Sequence, residues 1–150
     1  MHLAEYSIRK ATPEDSLPIR ALIHAVRINP MSLDWRHFVV AVDLSGGLLG
    51  CGQVKVHSDG SHELASIAVR ESARGKGIAR AVIETLLESE TFRPMYLMCR
   101  SRLEPLYARF GFQPVQVNEM PPYFQRLHRL ARLINANAGP GDHLSVMRLD

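Results

Sequence analysis

The sequence predicts one α/β domain, residues 1–150, built on a mixed, mostly antiparallel sheet of six to seven strands flanked by helices. Three observations carry this expectation. The 150 residues are 46% hydrophobic and 22% charged, the composition of one soluble globular unit with an adequate core. Short β-rich runs separated by turn residues fill the first half of the chain, the pattern of an antiparallel meander. Amphipathic segments of helical period then separate the later β-rich runs, which calls for a crossover connection and hence a parallel strand pair.

Tyr6 to Lys10 is the first β-rich run. Ala11-Thr12-Pro13-Glu14-Asp15 then starts a helix, with Thr12 as N-cap, Pro13 at the first helical position and Asp15 in a capping-box position. The helix runs to about Val26, and Ile19, Leu22, Ile23 and Val26 recur at helical spacing, so that face packs on a sheet. Pro30 and then Leu33-Asp34-Trp35 indicate a loop with a short second helix. Phe38 to Val42, Leu48 to His57 and Glu63 to Val69 form the meander, joined by Ser45-Gly46-Gly47 and Ser58-Asp59-Gly60.

After the polar stretch Arg70 to Gly77, the residues Ile78, Val82, Ile83, Leu86 and Leu87 mark a helix over Ile78 to Ser89. Met95 to Cys99 follows as a strand parallel to Glu63 to Val69 through a right-handed crossover, where a ligand cleft can open. Arg102 to Phe110 is a short helix stopped by Gly111, and Phe112 to Val117 and Leu144 to Leu149 are the final strands. Between them Tyr123, Leu127, Leu130 and Ile134 share one helical face while Arg126, Arg129 and Arg132 fall on another; Ala138-Gly139-Pro140-Gly141 follows. This extra helix before the last strand, added to about four others, reads as a surface helix docked by its apolar side, with homodimer contact or membrane-surface association as the competing roles.

No apolar run reaches the roughly 20 residues of a membrane span, and Met1 to Lys10 lacks the apolar core of a secretory signal, so a cytoplasmic location is expected. Cys51 and Cys99 are too few for a disulfide framework and sit in apolar stretches, as buried reduced thiols do. A net charge of +3 suits a phosphorylated ligand and equally suits weak attraction to nucleic acid.

The chemistry-bearing motif is Arg74-Gly75-Lys76-Gly77-Ile78-Ala79, where a helix opens just after two glycines. Such a helix start offers unpaired backbone N–H groups, and glycine admits a phosphate without a Cβ in the way. A dinucleotide fingerprint does not fit, because the glycines follow antiparallel strands and the third glycine is missing; a Walker loop fails for lack of Gly-Lys-Ser/Thr. The string resembles the pyrophosphate loop of the GNAT superfamily of acetyltransferases, whose pattern is Gln or Arg, two residues, Gly, one residue, then Gly or Ala. Leu64-Ala65-Ser66-Ile67-Ala68-Val69 is similar to that family's fourth strand, and Leu106-Tyr107-Ala108-Arg109-Phe110-Gly111-Phe112 resembles its later signature. With Ile8 to Asp15 at the start, the resemblance extends from Tyr6 to about Val117, and Asn118 to His143 matches as a variable connector.

The resemblance implies the GNAT fold, with the sheet splayed between its two central parallel strands, and acetyl-CoA as cosubstrate without a metal. It implies that the backbone of Arg74, Gly75, Lys76, Gly77, Ile78 and Ala79 holds the pyrophosphate, with charge added by Arg74, Lys76 and Arg80. Ile67, Ala68 and Val69 would line the pantetheine arm, the Ile67 amide polarising the thioester carbonyl. Tyr107 would be the acid for the departing thiolate, and Glu63 the base for the incoming amine, with Glu119 and His62 as other bases. Many relatives carry an asparagine where this chain has Cys99-Arg100-Ser101-Arg102, and Arg100 or Ser101 is the available replacement.

A primary amine, of a small molecule or a protein, is the expected acceptor. It would enter beside Arg27, Asn29 and Trp35 on one side and Tyr123 on the other, neither of which selects an acceptor class. The rival readings are a noncatalytic acyl-CoA sensor and an enzyme for longer acyl chains. A specific nucleic-acid binder is disfavoured, since no reading motif or aromatic stacking signature accompanies the arginines.

Overall fold

The computed structural model describes residues 5–134 and 141–150. Its strands are β1 (Tyr6–Lys10), β2 (Phe38–Asp43), β3 (Leu48–Val56), β4 (His62–Val69), β5 (Met95–Arg100), β6 (Gln113–Pro114) and β7 (Leu144–Leu149). Its helices are α1 (Ser16–Ala25), α2 (Ile78–Ser89), α3 (Glu104–Ala108) and α4 (Pro122–Ile134). The sheet order is β1-β2-β3-β4-β5-β7-β6, with β4 and β5 parallel and the other registered pairs antiparallel. Helix α2 supplies the crossover between the parallel strands, as their spacing in the sequence requires.

The chain clusters into two compact units. The first holds residues up to Lys55 together with Leu64–Thr91, the second Val56–Glu63 with Phe92–Asp150, so β4 contributes to both.

In the first unit, Ile19, Leu22 and Ile23 of α1 bury against Val40, Val42 and Cys51. Helix α2 seats on β3 because β3 carries glycine where the helix arrives. A Cβ at Gly52 would meet Ile67 at 2.6 Å and Val82 at 2.7 Å, and one at Gly50 would meet Ile78 at 2.8 Å. The capping box forms as anticipated: the Thr12 amide donates to Asp15 Oδ2 at 2.7 Å, and Arg9 clamps the same carboxylate at 2.6 and 3.1 Å. The short helix suggested around Leu33-Asp34-Trp35 is one 3₁₀ turn, Trp35–His37, capped by the Asp34 side chain.

In the second unit, Tyr96, Met120, Phe124 and Val146 form a buried cluster. The strand anticipated over Phe112 to Val117 shortens to Gln113–Pro114, because Pro114 has no N–H to extend the ladder; Val115 adds one bond to Val146 before a 3₁₀ turn at Val117–Glu119. The helix expected from Arg102 begins as a 3₁₀ turn, Ser101–Leu103, and becomes α-helical at Glu104. Helix α4 docks by Phe124, fully buried, and leaves Leu130 and Leu133 exposed; its amide at Tyr123 donates to Asp59 Oδ2 at 3.0 Å. The flexible stretch expected at Ala138-Gly139-Pro140 lies outside the described residues. Among the described residues no helix is long and apolar enough to cross a membrane, and no group of three or more His, Cys, Asp or Glu side chains is arranged to hold a metal.

Candidate active site

The glycine loop of the first unit adopts the backbone its sequence anticipates. A 3₁₀ turn at Glu71–Ala73 ends on Arg74; Gly75 and Gly77 then take φ +82° and +78°, and Gly77 is the N-cap of α2. Those left-handed angles suit glycine and strain any other residue. No neighbour lies within 4 Å of where a Cβ would stand at either glycine, so the loop surrounds open space. The first α-helical bond runs from the Ala81 amide to the Gly77 carbonyl, which leaves the amides of Ile78, Ala79 and Arg80 free of helical partners. Glycine backbone, free amides and the positive end of α2 together form a surface that can accept an anion.

Two of the side chains expected to supply charge are engaged elsewhere. Lys76 Nζ lies 3.1 Å from Glu5 Oε2, and Arg80 Nε 2.8 Å from Glu84 Oε1. Both pairs are largely exposed and screened by solvent, so an arriving phosphate can displace them. Arg74 instead borders, with Arg70, a cleft of about 620 Å³ walled by Leu22 and Val26 of α1 and by the Gly46-Gly47 turn.

Strand β4 pairs with β5 at its first two residues, His62 with Met95 and Glu63 with Tyr96; Ile67, Ala68 and Val69 lie beyond. Between these parts Ser66 takes φ +58°, a conformation that costs a non-glycine residue about 1–3 kcal/mol and that must be held by its surroundings. Gln53 of β3 provides part of that hold: its Nε2 donates to Ser66 Oγ at 2.8 Å and to the Ser32 carbonyl at 3.1 Å. Neither Ser66 nor Gln53 figured among the sequence candidates. The available signal was a fully buried-type position in β3 occupied by glutamine.

Three of the residues expected to meet an acceptor belong to the first unit. Asn29 Oδ1 accepts the Met31 amide at 3.0 Å, Arg27 takes φ +59°, and Trp35 packs partly buried on the α1 core with the Arg36 guanidinium 4.8 Å from its ring centre. Lys55 Nζ donates to the Met31 carbonyl at 3.1 Å, tying the same segment to the end of β3.

In the second unit Tyr107 is half-buried on α3 with its ring edge toward Phe112, centroids 6.4 Å apart. Burial first, and then the neighbouring Cys99, push its phenol up to about 12, so it stays protonated through the neutral range. Its hydroxyl makes no hydrogen bond to any described residue and is therefore available to donate. Burial likewise raises the thiols of Cys51, to about 12, and Cys99, to about 11; both are free and buried, as their apolar settings implied.

Glu63 opens β4 almost buried, and its Oε1 lies 2.8 Å from Nε2 of His57, a residue the sequence reading passed over. The link is the β3–β4 hairpin: the His57 amide donates to the Ser61 carbonyl, so His57 and Glu63 are diagonal neighbours across the turn. Tyr123, expected from the sequence to contact the acceptor, stacks on the His57 ring at 3.5 Å. The other candidate bases are otherwise occupied. Glu119 caps its own 3₁₀ turn through the Gln116 amide, and His62 stacks on Phe92 with Nδ1 buried and unpartnered. Arg100 and Ser101, the available replacements for the absent asparagine, both bond Asp142.

The GNAT acetyltransferase domain model matches residues 34–114, more than half of the chain and all of the glycine loop. The chain belongs to the GNAT acetyltransferase family. No curated protein matches it in sequence. Among solved structures it is similar to the N-acetylglutamate synthase of Neisseria gonorrhoeae complexed with coenzyme A and N-acetyl-glutamate, with a TM-score of 0.74 at 22% identity. That likeness covers 99% of this chain and 36% of the synthase, so the chain spans about a third of its length. Rv2747 of Mycobacterium tuberculosis, in complex with CoA, gives 0.71 at 23% identity over 95% of this chain and 98% of that one. A GNAT family acetyltransferase of Bacillus cereus gives 0.66 at 14% identity, covering 97% and 96%. At these identities the likenesses establish the GNAT fold, and they agree with the family assignment.

Proposed function

We propose that the chain is an acetyl-CoA-dependent N-acetyltransferase that acts in the cytoplasm and transfers acetyl to a primary amine, of a small molecule or a protein, by direct attack in a ternary complex. The observation that carries this reading is the cradle at residues 74–80, where two left-handed glycines open α2 and leave its first amides free around open space. Acetyl-CoA supplies the activated thioester; the remaining work falls to the chain.

In this reading the amides of 74–79 hold the pyrophosphate, and the backbone of Ile67 to Val69 orients the arm, with the Ile67 amide donating to the carbonyl oxygen as negative charge grows there. The kink at Ser66 supports this assignment, since it re-aims the amide that follows. The amine is a poor nucleophile while protonated: an alkylamine with pKa about 10.4 is neutral only to about one part in a thousand near neutral pH. Glu63 is the carboxylate assigned to drive that proton away. Tyr107 donates its phenolic proton to the departing thiolate and recovers one from water, which returns CoA as the thiol. Arg27, Asn29, Trp35 and Tyr123 are the residues assigned to the acceptor. The amino-acid ligand named with the gonococcal synthase makes free α-amino groups a leading set to test.

The test is free-thiol release from acetyl-CoA across amino acids, polyamines, aminoglycosides and lysine peptides, with Gly77→Glu as control. Acceptor-dependent release that the substitution abolishes is the expected result and names the acceptor class. Tight CoA binding with no release across the panel would instead make the chain a noncatalytic acyl-CoA sensor.

A further inference from the structure

The pair formed by His57 and Glu63 is built more elaborately than a lone carboxylate base requires. Both side chains are close to nine-tenths buried, and they meet at 2.8 Å through Nε2 of the ring and Oε1 of the carboxylate. The ring is fixed on two further sides: Tyr123 stacks on its face at 3.5 Å, nearly parallel, and Phe124 meets it edge-on at 5.8 Å. Its other nitrogen, Nδ1, has no hydrogen-bond partner among the described residues, and the side chain keeps 12% of its surface exposed. A buried carboxylate that occupies one imidazole nitrogen, with the ring clamped, is the arrangement that selects a single tautomer and leaves the second nitrogen to take up a proton.

We propose that His57, through Nδ1, is the group that takes the proton from the acceptor amine, and that Glu63 acts as the positioning residue that holds its tautomer and balances the charge it acquires. The inference rests on the N-acetyltransferase reading above and refines the role given there to Glu63. At 2.8 Å one proton lies between Nε2 and Oε1. In this proposal that proton sits on Nε2, with the carboxylate oxygen accepting. As the amine nitrogen bonds to the acetyl carbon, its N–H proton passes to Nδ1 and an imidazolium forms. The Nε2–H···Oε1 bond persists throughout, and the imidazolium afterwards releases the proton to water. Nothing else is consumed, because the thiolate takes its proton from elsewhere.

The charged and titratable groups around the ring bear on its pH response. Glu63 reaches it from β4 and Asp59 from the β3–β4 turn, while α4 presents the Tyr123 phenol and Arg126, and β5 presents Tyr96 behind Phe124. Burial and then the Glu63 charge raise the Tyr123 phenol, so Tyr123 remains neutral and serves as a stacking plate.

Two measurements on the full chain test this. Long-range proton–nitrogen correlation spectra of the 15N-labelled protein read the His57 tautomer directly, with or without CoA; a neutral ring carrying its proton on Nε2 is expected, and a proton on Nδ1 overturns the proposal. Kinetics of His57→Gln, His57→Asn and Glu63→Gln follow, on the acceptor found in the panel. The His57 variants should lose about 10²-fold in kcat with the KM for acetyl-CoA unchanged, and should lose the acid limb of the pH profile. Glu63→Gln should also be slow but keep that limb, since the imidazole is still present. Wild-type turnover that survives in both His57 variants, or a limb that vanishes only in Glu63→Gln, would assign the proton to Glu63 and sink this inference while leaving the acetyltransferase reading intact. Wild-type protein that releases no thiol with any acceptor sinks both.

Discussion

Tyr107→Phe removes one oxygen and keeps the ring that meets Phe112, so its effect separates chemistry from packing. The substitution should lower kcat about 10²-fold if the phenol protonates the leaving thiolate, with melting temperature nearly unchanged at neutral pH. Steady-state kinetics beside a thermal melt check both halves, and an unaltered kcat would remove Tyr107 from the mechanism. The same phenol has a linkage signature. Its folded value of about 12 lies above the ordinary 10, so the folded chain holds the proton where the unfolded chain releases it. Stability is therefore full below pH 10 and declines as pH rises toward 12, and Tyr107→Phe should flatten that decline. Tyr107 was named by resemblance, from its place before Gly111-Phe112, and the buried thiols were legible from their apolar neighbours. His57 was not, because the partner that gives it meaning sits six residues away across a hairpin.

The start of α1 is held by one local contact. Arg9 of β1 donates twice to Asp15, and the Thr12 amide donates to the same carboxylate, so one side chain fastens strand to helix. The Arg9 hydrogen bond is the largest influence holding the Asp15 carboxyl below its usual range, and it outweighs the opposing cost of burial. Asp15→Asn should cost about 1–2 kcal/mol, as loss of a cap and a charge-assisted bond does. The sign follows from the depressed carboxyl. Its contribution is present above the unfolded value near 3.9 and disappears as pH falls through the lower folded value, so wild-type and variant melts should converge in acid. Thr12, Pro13 and Asp15 announced this cap in sequence because capping is local. The strand over Phe112 to Val117 was misjudged in length because a β-rich composition does not weigh the donor missing at Pro114. The kink at Ser66 was invisible for another reason: its support, Gln53, comes from a different strand.

For the molecule as a whole, ligand binding and folding are one equilibrium, and this gives a test of the cradle that needs no acceptor. A ligand that binds only the folded chain adds about 2.7 kcal/mol at one hundred times its Kd, and for a chain of this length each kcal/mol raises Tm by about 2–4 °C. CoA at that excess should thus raise Tm by roughly 5–10 °C. Gly77→Glu should abolish the rise by three effects: a side chain in the open space of the cradle, a negative charge beside the phosphate, and a non-glycine residue at φ +78°. The last of these also destabilises the unliganded chain by about 1–2 kcal/mol, so the variant's own Tm must be the baseline. Lys76→Ala and Arg80→Ala discriminate further. Their partners Glu5 and Glu84 are already close, so if backbone amides dominate the cradle, each variant should keep most of the CoA-induced rise. A rise lost in either alanine variant but kept in Gly77→Glu would move the anion site from the α2 backbone to the side chains, and with it the main observation behind the acetyltransferase reading.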